Sequence, residues 1–246
     1  MEESGSASPS RAITVHGLTK SFGNHHALKG IDFEVSRGES VVIFGPNGAG
    51  KTTLIKILAT IMNPSSGRIL VDNLDLKDHA IKIRRSIGIV THQTFLYGNL
   101  TARENLEFYA RMYDVPDRQK RIRELVALVG MAHRLNDRVG TFSRGMQQRL
   151  SIARALLHRP SLMLLDEPET GLDQEANAML WEALRSGETG TAPTIILTTH
   201  SLERGLEQCS RLLILVQGQI TFEGSKQALK LDDLKRLYRH HTGVNA

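Results

Sequence analysis

The sequence predicts an α/β protein in which a mainly parallel sheet is interrupted by a helical insert. Three observations lead there. Short apolar runs alternate with amphipathic stretches along most of the chain, as strands alternating with helices would. One of these runs, VVIF at 41–44, feeds directly into a glycine-rich loop. Between Thr101 and Gly130 the strand signals disappear.

Taken in order, Ile31, Phe33 and Val35 alternate with polar residues, the pattern of a half-buried strand. VVIF has no polar alternation and fits a buried strand. After the loop, 53–62 predicts a helix that stops at the NPSSG turn, 63–67. Further strands are expected at 68–71 and 87–90. TARE, 101–104, is a capping box, in which the Thr hydroxyl and the Glu carboxylate satisfy free backbone donors at a helix start. DVPD, 114–117, breaks that helix, and RIRELVALVG forms another that stops at Gly130. Strand-like runs return at LMLL (162–165), TIILT (194–198) and LLILV (212–216). The stretch SKQALKLDDLKRLYRHH predicts a basic helix with a solvated face. No internal repeat is visible. The expected division is a flexible tail over 1–10, a core over 11–92 and 161–224, a helical subdomain over 93–160 and a basic helical tail over 225–246.

The 246 residues suit one large α/β domain or one domain with an inserted subdomain. Such a chain buries enough apolar surface to need no covalent staples. The single cysteine, Cys209, excludes an internal disulfide framework and points to a reducing compartment. A spanning helix needs about 20 apolar residues. The longest purely apolar run is LLILV, so no membrane-crossing helix is expected. The opening stretch MEESGSASPSR lacks the apolar core of a secretory signal. The formal charge of +5 is mild. No basic stripe with interleaved aromatics appears, so nucleic acid is not an expected partner.

GPNGAGKT, 45–52, fits G-x-x-x-x-G-K-[ST] through Gly45, Gly50, Lys51 and Thr52. Its glycines, with Pro46, Asn47, Gly48 and Ala49 between and among them, let backbone N–H groups wrap phosphate oxygens. The helix that follows, where Thr53 sits, presents its positive dipole end. Lys51 reaches the β- and γ-phosphates of such a ligand, and the Thr52 hydroxyl ligates Mg²⁺. A P-loop site also needs a carboxylate for its metal. LMLLDE supplies it, with Asp166 at the end of a buried strand and Glu167 one residue on, where it can orient or polarise water. The bland alternative for Glu167 is a surface carboxylate at a strand end.

The ordered set GPNGAGKT, Gln93, FSRGMQQR, LLDEP, TGLD and His200 resembles the ATP-binding subunits of ABC transporters over nearly the whole chain after the first ten residues. The resemblance implies a P-loop ATPase core with an antiparallel β subdomain and an inserted helical subdomain, with ATP and Mg²⁺ as ligands. It implies that Phe22 stacks on adenine, the alternative being a core phenylalanine on an edge strand. Gln93 matches the glutamine that touches Mg²⁺ or the attacking water and senses the membrane partner; otherwise it is a surface glutamine. Asp173, in TGLD, matches an aspartate that crosses between two subunits, and it also suits a helix N-cap. His200 matches the histidine that contacts the γ-phosphate. FSRGM, with Ser143, Arg144, Gly145 and Met146, is the counterpart of the signature LSGGQ. In the family, two subunits pack head to tail, and the cradle of one faces the signature of the other across ATP. Met146, Leu150, Ala153 and Leu157 fall on one helical face and read as core.

The chain departs from the family at Arg144, in place of the first signature Gly, and at Met146, in place of the final Gln. Arg144 either adds phosphate or cross-interface contacts or points to solvent. Glu169, in DEPET, stands where the family often carries an apolar or small polar residue. Residues 91–115 with FSRGMQQRLSIARALLH resemble the ATPase of the haem exporter used in cytochrome c maturation. The alternatives are a lipid, polysaccharide or drug exporter, or a soluble ATPase of the same fold acting on ribosomes or in DNA repair. The expected partners are permease subunits docked near Gln93 and the helical subdomain, and a second ATPase copy. The expected location is the cytoplasmic face of the inner membrane, peripheral through the permease.

Overall fold

The computed structural model describes residues 10–169, 174–185 and 192–243. Its strands sort into two sheets by how their apolar residues are spaced. Where polar and apolar residues alternate, the strands are antiparallel. β1 (Arg11–Phe22) and β2 (His25–Ser36) form a long hairpin, and β4 (Ser66–Val71) and β5 (Leu74–Asp75) complete a sheet in the order β2-β1-β4-β5. Ile31, Phe33 and Val35 are all buried, as their alternation predicts. β1 is harder to read from sequence, because its pairing with β2 shifts register on either side of Leu18 and breaks the period of two.

Where the apolar run is continuous, the strands are buried on both faces. β3 (Ser40–Phe44), β6 (Ile87–Val90), β7 (Leu162–Asp166), β8 (Thr194–Thr198) and β9 (Arg211–Val216) lie parallel in the order β9-β3-β8-β7-β6. β10 (Gln219–Ser225) adds an antiparallel edge on β9. Along β3, Val42 and Phe44 join one apolar core while Val41 and Ile43 join the other. Met163 and Leu165 of β7 face the first core, and Leu162 and Leu164 the second. Each such side chain contributes about 1.5–3 kcal/mol by burial, so a one-residue slip would not be tolerated.

The antiparallel sheet covers the second core together with α1 (Lys51–Leu58) and α2 (Leu76–Arg84). α1 starts at Lys51 and stops at Leu58, earlier at both ends than the sequence predicts, and Thr60 turns the chain with a φ of 60°. The helices α3 (Ala102–Met112), α4 (Arg118–Leu128), α5 (Arg144–Leu156), α6 (Gln174–Arg185), α7 (Leu202–Gln208) and α8 (Leu231–Thr242) line the first core. The capping box of α3 forms as predicted: Glu104 N–H donates to Thr101 Oγ1 at 3.1 Å, and Thr101 N–H donates to Glu104 Oε2 at 2.7 Å. On α5, Leu150 and Ala153 are buried, as is Leu157 at its end, and Met146 packs half-buried against them.

Residues 11–92 feed both sheets, in keeping with the expected antiparallel β subdomain, and β10 ends at Ser225. The C-terminal helix is more than a solvated face, because Leu234 and Tyr238 of α8 are buried in the first core. Among the described residues no helix is long and apolar enough to cross a membrane.

Candidate functional site

The parallel strands β3, β7 and β8 end at the same edge, and each hands the chain to candidate residues. After β3 comes the 45–52 loop. It passes so close to its neighbours that two positions exclude a side chain. A Cβ on Gly45 would lie 2.2 Å from the Leu215 carbonyl oxygen, and one on Gly50 2.6 Å from that of Ala27. Gly50 also holds a φ of +109°, open to glycine at little cost. Lys51 is buried, and its ammonium donates to the carbonyls of Gly45 at 2.6 Å and Pro46 at 3.1 Å. Burial pushes the Lys51 pKa down, and the carboxylates of Glu167 and Asp166 oppose that shift.

Asp166 ends β7 and is buried. Its Oδ1 accepts from the Thr198 hydroxyl at 2.6 Å and from the Thr52 hydroxyl at 3.3 Å. This is an oxygen-only donor set. Among the described residues no group of three or more His, Cys, Asp or Glu could hold a metal alone. The oxygen-only set fits Mg²⁺, which is typically held by one or two carboxylates plus substrate phosphates.

Glu167 takes a φ of 50°, left-handed for a residue with a side chain. Such conformations cost about 1–3 kcal/mol and gather at functional sites. The turn is held by Glu167 N–H donating to the Thr198 carbonyl at 3.0 Å. His200 leaves the end of β8, and its Nε2 stands 2.6 Å from Glu167 Oε2. Lys51, Thr52, Asp166, Glu167 and His200 thus form one cluster. Thr198 belongs to it too, and only the pairing of β7 with β8 reveals that.

The other described candidates have contacts of their own. Gln93 is exposed on a tight turn in which Thr91 Oγ1 accepts from the Gln93 N–H at 3.0 Å and donates to the Gln93 carbonyl at 2.8 Å. Sequence reasoning missed what lies beneath this loop. The buried Arg154 of α5 donates to the Ile89 carbonyl, and its guanidinium carbon sits 5.4 Å from the ring centroids of both Phe95 and Tyr109. Ser143 caps α5, accepting from Met146 N–H at 3.3 Å. Ser143 and Arg144 are exposed, and Gly145 and Met146 are half-buried. Phe22, at the end of β1, is 47% exposed with the Lys20 ammonium 5.1 Å from its ring centroid, which removes the core alternative. Glu169 pairs with Arg204 at 3.2 Å. Asp173 lies outside the described residues. A cavity of about 760 Å³ at the opposite end of the strands is lined by none of these residues.

Residues 28–170 match the family model described as ABC transporter. The chain is 37% identical over 223 residues to the daunorubicin resistance ATP-binding protein DrrA3 of Streptomyces coeruleorubidus, covering 90% of this chain and 70% of that one. It is 38% identical over 220 residues to the Nod factor export ATP-binding protein I of Rhizobium sp. (strain N33), covering 89% and 72%. One similar solved structure is described as the ATP-binding subunit of an ABC transporter, with 31% identity, a TM-score of 0.82 and 95% of each chain covered. Another is a dimeric ATP-binding cassette in a post-hydrolysis state bound to ADP and Pi, with 29% identity, a TM-score of 0.79, and 87% of this chain and 98% of that one covered. Motif order, mixed sheets and these matches agree: the chain belongs to the ATP-binding subunits of ABC transporters, enzymes that bind ATP with Mg²⁺ and hydrolyse it.

Proposed function

We propose that this ATPase powers an exporter of drug, lipid or polysaccharide type through separate permease subunits, docked at the cytoplasmic face of the membrane near Gln93 and the helical insert. Subunits of this family dimerise and work with membrane permeases. The drug-resistance and Nod-factor-export names of the relatives support the exporter alternative over the haem-exporter reading of residues 91–115. That reading rests on a stretch expected to meet a permease rather than a cargo.

At residue level, the 45–52 loop and the positive end of α1 bind the phosphates, with Lys51 neutralising their charge. Pro46, Asn47, Gly48, Ala49 and Thr53 complete the cradle, and Phe22 stacks on the base. Thr52 and Asp166, with Gln93, would hold Mg²⁺, which when bound would offset the phosphate charge. Glu167 orients the attacking water as a general base, and His200 stabilises the γ-phosphate. A second copy presents Ser143, Arg144, Gly145 and Met146 head to tail, with Asp173 crossing between the subunits. The observation that carries catalysis over mere binding is the 2.6 Å contact of Glu167 with His200 beside Lys51 and Asp166.

The exporter reading is tested by purifying the tagged protein from its own cells in mild detergent and identifying the integral membrane proteins that remain bound. A permease of drug, lipid or polysaccharide type is the expected result. A cytochrome c maturation permease would return the haem reading. Recovery without any membrane partner would overturn the exporter assignment.

A further inference from the structure

Two residues after Glu167 the chain carries Glu169, and four after His200 it carries Arg204. Nη1 of Arg204 stands 3.2 Å from Oε2 of Glu169. Neither residue is explained by the element it sits on. Arg204 lies in the first turn of α7, where a cation opposes the helix dipole. The helix already has its cap, since Ser201 Oγ accepts from the Arg204 N–H at 3.3 Å. The Glu169 side chain is only 11% exposed, and its buried Oε1 has no hydrogen-bond partner among the described residues. A carboxylate so placed destabilises the fold unless an opposite charge stands by.

The pair makes sense as a tie between two segments. α7 is pressed onto β3, because a Cβ on Gly205 would come within 2.5 Å of the Phe44 ring. Its head therefore has two anchors, Gly205 on Phe44 and Arg204 on Glu169. His200 lies immediately before the Ser201 cap of that helix, and Glu167 immediately before Pro168 and Glu169. The ion pair thus ties together the segments that carry the two catalytic candidates, two residues after Glu167 and four after His200.

We propose that Glu169 and Arg204 are positioning residues, whose ion pair holds the head of α7 against the segment leaving β7 and so sets the approach of His200 to Glu167. The proposal rests on the hydrolytic reading of Glu167 and His200 given above. Neither Glu169 nor Arg204 joins the Lys51–Thr52–Asp166 cluster, so the pair acts on turnover rather than on ATP affinity.

The test is steady-state ATP hydrolysis by the purified full chain, with melting temperature followed in parallel. Arg204 is 56% exposed, but its replacement leaves the Glu169 carboxylate without its partner, so the melting temperature is expected to fall. Measured well below its reduced melting temperature, Arg204→Glu should lower kcat about fivefold with KM little changed, and Arg204→Lys should recover most of the loss. Glu169→Gln should act in the same direction as Arg204→Glu. In a His200→Ala background, Arg204→Glu should cause no further loss. An unchanged kcat in Arg204→Glu overturns the proposal, as does an equal loss with His200 absent. Wild-type turnover in both Glu167→Gln and His200→Ala would instead overturn the hydrolytic reading on which it rests.

Discussion

His200 Nε2 stands 2.6 Å from Glu167 Oε2, and the two residues follow the ends of neighbouring parallel strands. Glu167 is held toward this contact by a left-handed backbone and a hydrogen bond to the Thr198 carbonyl. Glu167→Gln keeps the shape of the side chain and removes the charge that the proposed mechanism places on water. ATP binding should stay within about twofold of wild type while turnover falls by about 10²-fold or more. The stalled protein should accumulate as a dimer on size-exclusion chromatography with ATP. Normal turnover would remove Glu167 from its role.

Gly50 and Gly48 both take positive φ, +109° and +79°, but their surroundings differ. A Cβ on Gly50 would meet the Ala27 carbonyl at 2.6 Å, whereas one on Gly48 would have nothing within 4 Å. Gly48→Ala should cost about 1 kcal/mol of stability, the strain of the backbone alone. Gly50→Ala should cost about 3 kcal/mol, because β2 must also move away from the loop. Denaturation curves of the two variants check the order. Equal losses would show that the close approach to Ala27 does not matter.

Among the described residues, Arg154 is a buried cation held by a backbone carbonyl and two aromatic rings rather than by a carboxylate. Burial pushes its pKa down, countered by Tyr109 and Tyr113. Arg154→Met keeps the length and loses the hydrogen bond to Ile89. The expected loss is about 1–3 kcal/mol, from leaving the Ile89 carbonyl without this donor. Residues 93–97 should also exchange amide hydrogens faster, since the loop loses its support under Phe95. Unchanged exchange there would show that Arg154 does not anchor the loop.

His158 stacks on Tyr113 with ring centroids 4.0 Å apart, and its Nε2 lies 2.9 Å from the Ile87 carbonyl. Its Nδ1 is buried without a hydrogen-bond partner among the described residues. Burial pushes its pKa down from 6.5 to about 4, with Arg154 and Arg121 adding to the shift and the Ile87 hydrogen bond opposing it. Between these values the unfolded chain binds a proton that the folded chain does not. Stability therefore falls as pH drops from about 6.5 toward 4, by at most about 3 kcal/mol from this group. His158→Gln should flatten the dependence of melting temperature on pH across that window. An unaltered slope would show that His158 is not the titrating group.

What could be read along the chain was whatever neighbouring residues encode. The 45–52 cradle, the capping box at Thr101 and the strand carrying Asp166 depend on backbone conformation, hydrogen bonding over a few positions, or the period of apolar residues. The alternation at Ile31, Phe33 and Val35 placed that strand on a one-faced sheet, and unbroken runs such as LMLL marked strands buried on both sides. Resemblance extended this reading to Gln93, Ser143 and His200, and the family assignment followed from motif order.

Tertiary structure decided everything that depends on which strands become neighbours. Parallel strands are joined by crossovers, so β3 lies between β9 and β8, an order that chain position does not contain. That order sets the Thr198 hydroxyl on Asp166 from 32 residues away and brings His200 to Glu167. It also sets Arg154 beneath the Gln93 loop, docks α8 on the core and gives Glu169 its partner. Local sequence determines the conformation of a segment, but contact energies between distant segments exist only once packing has chosen their neighbours.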